Sequence, residues 1–366
     1  MSSAHRSHSV LVLCMSILCI SSVVHILSST HSLKSLCAGD NNPSNPADYV
    51  RSRGNESSPI SAFDPEGTDC SELLRRFRYK EIEIAKREGK VHFRRSFVTL
   101  SEGTNHPFYI ATHDKGIDNV RSSIMDYHYY YENKLTAIIA EVFEEKKKLG
   151  KESIMLDVGA NIGWFSLVAA AHGASRVYSF EPNLQNTIRF CESLALNGWL
   201  GDFVVPISKG VGMVEEERDL YAISSDNPGS FSFDKGAGQY NVVGTMKITT
   251  LDSFAERHGW FVSKPSIAFF KLDVEHFERE VIEGAEKLLK SGLIENIEME
   301  LKPDHSEETK SKIVKHLFDA GYKFAMHGAW PGPSNIVTTN YTDWKDLVKD
   351  FQEKKYGVNV LFRRKE

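Results

Sequence analysis

The residues with chemical potential fall at the ends of two apolar runs. Asp157-Val-Gly159-Ala-Asn161-Ile-Gly163 closes the run that begins at Ile154, and Glu181 closes the next, Val177-Tyr-Ser-Phe-Glu181-Pro-Asn183. An apolar run of strand length that ends in an acid and a glycine-rich turn reads as a buried parallel strand delivering a nucleotide-like ligand to a helix N-terminus. A dinucleotide fingerprint, G-x-G-x-x-G, needs its third glycine so that helix and strand pack closely behind a pyrophosphate. That position is Trp164. Asp157, read as standing at the mouth of the turn, would also repel a pyrophosphate. A cation without phosphate suits such a site, which points to S-adenosyl-L-methionine, with Glu181 placed to accept hydrogen bonds from ribose hydroxyls. Gly159, Asn161, Gly163 and Asn183 complete the expected cofactor contacts, and Ser208, after a third apolar run, is expected at the adenine edge.

A second constellation follows the apolar run Ile267-Ala-Phe-Phe-Lys271-Leu, which ends in Asp273-Val-Glu275-His276. Asp273 falls at the carboxyl end of a central strand, where open α/β sheets bind ligands. Methylating a hydroxyl requires removal of its proton, because an alcohol is a weak nucleophile near neutral pH. Asp273 is the first candidate base and His276 the second, with Glu275 beside them. Lys271 should share a strand face with Asp273 and support the acids as an ion pair. Asp273, Glu275 and His276 do not have a diagnostic metal-ligand spacing, so no metal is expected. Glu278 fits a helix-capping role or a functional one equally.

Three blocks in order, Asp157 to Gly163, Phe180-Glu181-Pro182-Asn183 and Lys271-Leu-Asp273-Val-Glu275-His276-Phe277-Glu278, resemble an FkbM-type methyltransferase from roughly Phe108 onward. The resemblance implies a sugar hydroxyl on a glycan or glycolipid as acceptor, and places the Lys-x-Asp-x-Glu block near the transferred methyl group. His276 stands where that family usually has glycine. Two other readings are an inactive adenosylmethionine-binding module and an NAD(P)-dependent oxidoreductase, the latter disfavoured by Trp164 and Asp157.

The elements that position these residues alternate. Strands near 154–157, 177–180, 203–207, 267–272, 294–301, 321–326 and 356–362, with helices between, predict a doubly wound, Rossmann-like, mostly parallel seven-stranded sheet with helices on both faces. One helix is expected across 278–291, another opening at Asp304-x-x-Glu307, and Glu295 and Glu298 on a solvated strand face. Between Gly210 and Thr250 the pattern breaks into short β-like pieces at the ligand-binding edge, placed either to cover a substrate or to form an exposed hairpin.

The 366 residues carry 44 Lys and Arg against 49 Asp and Glu, without basic blocks, which excludes the electrostatic footprint of a nucleic-acid binder. Residues 9–30 contain no Asp, Glu, Lys or Arg and are apolar enough for a signal-anchor, the favoured reading, or for a long secretory signal, behind a leader over 1–8. A stem over 31–70, an N-terminal extension or substrate cap over 71–134 and a methyltransferase domain over 135–366 follow. The Tyr127–Tyr131 aromatics fit either sugar stacking or packing. This order implies a single-pass membrane protein of the secretory pathway, and sequons at Asn55 and Asn340 agree with it. Cys191 reads as a core residue, with a Cys37–Cys70 bridge open but unforced.

Overall fold

The structure, a computed structural model, describes residues 64–77, 97–100, 106–113, 132–201, 203–222, 231–234, 241–302, 305–329, 337–340, 342–353 and 358–364. The apolar run over 9–30, most of the stem and the Tyr127–Tyr131 cluster lie outside them. Among the described residues no helix is long and apolar enough to cross a membrane.

A helix over 70–77 (α1) is followed by β1 (Phe97–Leu100), β2 (Tyr109–Thr112) and α2 (Asn133–Lys148). The central alternation then runs β3 (Ile154–Val158), α3 (Trp164–His172), β4 (Arg176–Phe180), α4 (Leu184–Asn197) and β5 (Val204–Ile207). An inserted sheet comprises β6 (Gly210–Val211), β7 (Glu216–Ala222), β8 (Phe231–Ser232) and β9 (Val242–Thr249). The chain returns through α5 (Leu251–Arg257), α6 (Trp260–Ser263), β10 (Ile267–Leu272), α7 (Glu278–Glu283), α8 (Glu286–Ser291) and β11 (Asn296–Leu301). It closes with α9 (Glu307–Asp319), β12 (Tyr322–Ala329), β13 (Val337–Asn340), α10 (Trp344–Glu353) and β14 (Val358–Arg364).

The main sheet has the order β13-β12-β14-β11-β10-β3-β4-β5. Its five strands from β11 to β5 are parallel, and β14 enters antiparallel between β12 and β11. The expected mostly parallel, doubly wound sheet is present with eight strands rather than seven, because β13 pairs antiparallel with β12 on the outer edge. Strand parity sorts the core into two layers. Met155 and Phe269 face Ile139, Phe143, Leu167 and Val168 of α2 and α3. Leu156 and Phe270 face Phe254, Val281, Leu288 and Leu317 of α5, α7, α8 and α9. Apolar residues on both faces are what a sheet covered by helices on both sides requires.

Caps fix several element starts. The Asn183 side chain accepts the Gln185 N–H and opens α4, and Thr250 does the same for α5 through Ser253. α9 opens at Ser306, whose hydroxyl accepts the Thr309 N–H, within the expected Asp304-x-x-Glu307 stretch. The single helix expected over 278–291 is two. The Gly284 carbonyl is taken by the Asp252 N–H at 3.0 Å, and the Asp252 carboxylate accepts the Lys287 and Leu288 N–H groups at 2.9 and 2.8 Å. Asp252 thus caps a second helix in the middle of the first.

Cys70 and Cys191 form a disulfide, so Cys70 is not available to Cys37 and Cys191 is not a free core thiol. The bridge ties the start of α1 to α4. The chain just before it lies along the outer edge of β5, where the Thr68 N–H donates to the Pro206 carbonyl at 2.7 Å.

Candidate active site

At the junction of β3 and β10 the sheet order changes direction, and the turns leaving the two strands face each other across a cleft. The Asp273 N–H donates to the Val158 carbonyl at 3.0 Å, which locks the two strand ends together. Val158, Gly159, Asn161, Phe180, Glu181 and Pro182 form one side of the cleft; Asp273, Val274 and Glu275 form another. The inserted sheet and its root contribute Gly210, Val211, Leu220, Phe231 and Phe233, so this insertion walls the site. The free space, open mouth and solvent included, is about 800 Å³.

Glu181 ties together the turns on its side of the cleft. Its Oε2 accepts the Asn161 N–H at 2.8 Å, and its Oε1 accepts the Asn183 N–H at 2.8 Å. A carboxylate has about four lone-pair sites, so acceptor capacity remains toward the cleft. Burial pushes its carboxyl up to about 7, against the pull of the Asn183 and Asn161 N–H groups. Gly163, at φ 87°, stands before α3 and packs on Phe190, while Asn183 works through its N–H and its cap.

Asp157 is placed differently from expectation. Its side chain is completely buried behind the turn, with Oδ2 accepting the Ser166 hydroxyl at 2.6 Å and Oδ1 at 3.7 Å from Lys271 Nζ. Register explains this. Asp157, Lys271 and Glu298 are direct partners on the adjacent strands β3, β10 and β11, a row of acid, base and acid inside the sheet. Lys271 Nζ also donates to the Gly159 carbonyl at 2.8 Å and lies 3.5 Å from Asp273 Oδ2. Burial opposes its charge, but Asp273 and Asp157 hold the ammonium protonated beyond the ordinary lysine range. Burial raises the Asp157 carboxyl, against Lys271 and Ser166. Glu298 is buried, not on a solvated face; burial and then the Glu132 charge push its carboxyl well above the usual range. Glu295 is partly exposed and paired with Lys146 at 2.5 Å.

The side of the cleft formed by Asp273, Val274 and Glu275 is built on a strained loop. Glu275 and His276, at φ 53° and 75°, are consecutive non-glycine residues in the left-handed region, an arrangement that costs about 1–3 kcal/mol each and concentrates at functional sites. Three contacts hold the loop: the Ser232 hydroxyl donates to the Glu275 carbonyl at 2.5 Å, the Val274 N–H donates to Glu278 Oε1 at 3.2 Å, and Lys302 pairs with the Glu275 carboxylate. Burial first, and then the neighbouring Asp273 charge, push the Glu275 carboxyl up to about 7 against Lys302. His276 does not line the cleft; its ring meets His305 edge-on at 5.0 Å, and His305 Nε2 lies 3.3 Å from the buried Glu278. Glu278 therefore holds the loop from beneath.

Ser208 also lies off the cleft lining. Its N–H donates to the Thr68 hydroxyl at 3.0 Å, and its own hydroxyl meets Thr68 at 3.0 Å and Thr187 at 3.4 Å. Beside it, Lys209 does line the cleft, with Nζ paired to Glu66 at 2.6 Å. The strap over 64–68 was not legible as a neighbour of β5, because nothing in its composition names the strand edge it meets.

The charge around the cleft is the test of the ligand. Its lining contains three carboxylates, Glu181, Asp273 and Glu275, and one cation, Lys209, already paired. Such a lining opposes a pyrophosphate and favours a positively charged ligand. The electrostatic case rests on these three acids rather than on Asp157.

A doubly wound sheet with a glycine turn, a ribose-competent acid at the next strand tip and an acidic acceptor side defines the class I methyltransferase architecture. Residues 157–324 match the family model of the methyltransferase FkbM domain, and that match supports S-adenosyl-L-methionine as the cofactor. No curated protein matches the chain. Among solved structures, the methyltransferase FkbM from Methylobacillus flagellatus KT is 13% identical with a TM-score of 0.35, covering 58% of this chain and 43% of its own. This chain thus spans less than half the length of that relative. The SAM-dependent methyltransferase from Agrobacterium tumefaciens is 10% identical with a TM-score of 0.38, covering 75% and 72%. Precorrin-6y C5,15-methyltransferase from Geobacter metallireducens GS-15 is 14% identical with a TM-score of 0.32, covering 64% and 89%.

Proposed function

We propose that the chain is an S-adenosyl-L-methionine-dependent O-methyltransferase acting on a sugar hydroxyl of a glycan or glycolipid. The observation that carries this reading is the acidic cleft in which Glu275, a carboxylate pushed up to about 7, adjoins the cofactor side. A base poised near the working pH is what hydroxyl activation requires.

Glu181 would hold the ribose hydroxyls, with Gly159 and Asn161 bordering them and Asp273 facing the cationic end. When bound, the cofactor supplies an electrophilic methyl group. Glu275 takes the acceptor's hydroxyl proton, and Lys302 keeps that carboxylate oriented. Lys271 holds Asp273 and the Gly159 carbonyl in one arrangement. Leu220, Phe231 and Phe233 exclude water and offer apolar surface to the CH face of a sugar ring.

A membrane-tethered location in the secretory pathway is part of the same proposal. It draws support from the apolar run over 9–30 and from the Cys70–Cys191 disulfide, since such bridges persist in oxidising compartments. The test is incubation of the purified chain with methyl-labelled cofactor and separate glycan and glycolipid extracts. Label in a sugar ether together with S-adenosylhomocysteine release supports the proposal; label confined to protein, or none, rejects it.

A further inference from the structure

At the far end of α3 from the cleft, three side chains from three separate segments converge. His172 is the last residue of α3, Glu144 lies in the last turns of α2, and His106 precedes β2. With α3 beginning beside the cofactor turn and rising about 1.5 Å per residue, its nine residues put this cluster about 13 Å further along the helix. It is not part of the methyl-transfer site.

Both imidazoles aim a nitrogen at the same carboxylate oxygen. His172 Nδ1 lies 2.9 Å from Glu144 Oε1, and His106 Nε2 lies 3.8 Å from it. The two rings meet edge to face with centroids 5.0 Å apart. One ligand atom from each residue falls within 4.8 Å of the others. In a tetrahedral zinc site with bonds of about 2.0–2.1 Å, neighbouring ligand atoms are about 3.3 Å apart, a separation that 2.9 and 3.8 Å bracket.

We propose that His106, Glu144 and His172 bind a divalent transition-metal ion of the zinc type. Two imidazoles and one carboxylate are the donor set that zinc accepts with three protein ligands, leaving a fourth position for water. His106 and Glu144, 32% and 27% exposed, leave that position open, whereas the His172 side chain is only 5% exposed. His172 Nε2 is enclosed without a hydrogen-bond partner, so hydrogen bonding through both ring nitrogens does not account for the buried ring. The α3 carboxyl end adds the negative pole of the helix dipole, which favours a cation there. Lys148 Nζ, 3.8 Å from Glu144 Oε2, sits on the other carboxylate oxygen and leaves Oε1 to the ion.

The role follows from the connections. A metal here would pin the segment before β2 to the packed pair α2 and α3, next to where Phe108 lies against Trp164 at 5.5 Å. It would be a structural clamp on the N-terminal extension and would not enter the chemistry of the cleft.

The experiment uses the purified full-length chain, stripped with a chelator and titrated with zinc by calorimetry, and with cobalt(II) followed by visible absorption. We expect one zinc per chain, tetrahedral cobalt bands, and a thermal midpoint that rises when zinc is added. His106→Gln and Glu144→Gln, both at partly exposed positions and with folding checked by circular dichroism, should each weaken zinc binding tenfold or more and abolish the cobalt bands. His172→Ala serves as a third variant, and its failure to fold would leave the first two decisive. Absence of stoichiometric zinc binding, or a loss smaller than tenfold in both variants, overturns the proposal. The readouts are metal binding and thermal midpoint, so failure here is separate from failure of the methyltransferase reading.

Discussion

A methyl group placed on Gly159 would lie 1.7 Å from the carbonyl oxygen of Asp273, so the cofactor turn and the acid-bearing loop meet through bare backbone. Gly159 is also at φ 83°, a conformation that other residues rarely adopt. The overlap is with main chain and has no flexible side chain to absorb it. Gly159→Ala should therefore lower folding stability by about 2–4 kcal/mol, combining backbone strain and overpacking. Denaturant titration measures this, and a variant as stable as the parent would show that the two turns are not in contact.

Lys271 joins the nucleotide side of the cleft to the acceptor side. Lys271→Met leaves the buried Asp157, and Asp273 beside it, without their countercharge and should cost about 3–5 kcal/mol. Adding Asp157→Asn should recover part of that loss, because one of the stranded charges is removed. A double-mutant cycle measures the coupling, and strictly additive effects would contradict the register row of acid, base and acid.

In the proposed reaction Glu275 sets the acid limb of the activity profile. As a base it must be ionised, so with its carboxyl pushed up to about 7 the rate should rise with pH through that value and level above it. Glu275→Gln should lower kcat by about 100- to 10,000-fold. Asp273→Asn removes a neighbouring like charge and should move the acid limb to lower pH. Single-turnover rates across pH 5 to 9 test both; an unchanged limb in Glu275→Gln would assign the proton to another group.

The Cys70–Cys191 bridge closes a loop with a sequence separation of 121. Cys191→Ser should destabilise the fold by about 2–5 kcal/mol and loosen the segment that covers the β5 edge. Thermal melts with and without reductant check this, and a parent melt insensitive to reductant would mean that the bridge does not form.

The alternation of strands and helices was legible because most of the parallel strands are largely apolar on both faces and several helix caps are local. The cleft was legible through Gly159, Asn161, Glu181, Asp273 and Glu275, all adjacent in sequence to strand tips. What depended on pairing between distant strands was not. Asp157 and Lys271 each fall one residue before the end of an apolar run, and that matching depth is the signal that could have placed them opposite each other rather than in the cleft. Glu298 resembled an exposed acid only because its partner lies on another strand. The Cys70 and Cys191 pairing, the split of α7 from α8 by Asp252, and the meeting of His106 with Glu144 and His172 have no counterpart in local spacing.

The most direct test of the acidic, sulfonium-accepting cleft is calorimetric titration of the purified chain with S-adenosylmethionine, S-adenosylhomocysteine and NAD. With the Glu181 carboxyl at about 7 and the ribose hydrogen bonds requiring its ionised form, affinity for both adenosyl compounds should rise tenfold per pH unit below 7 and flatten above it. Glu181→Gln should weaken both and remove that slope. Tight binding of NAD with none of either adenosyl compound, or adenosyl binding indifferent to Glu181, would contradict the account.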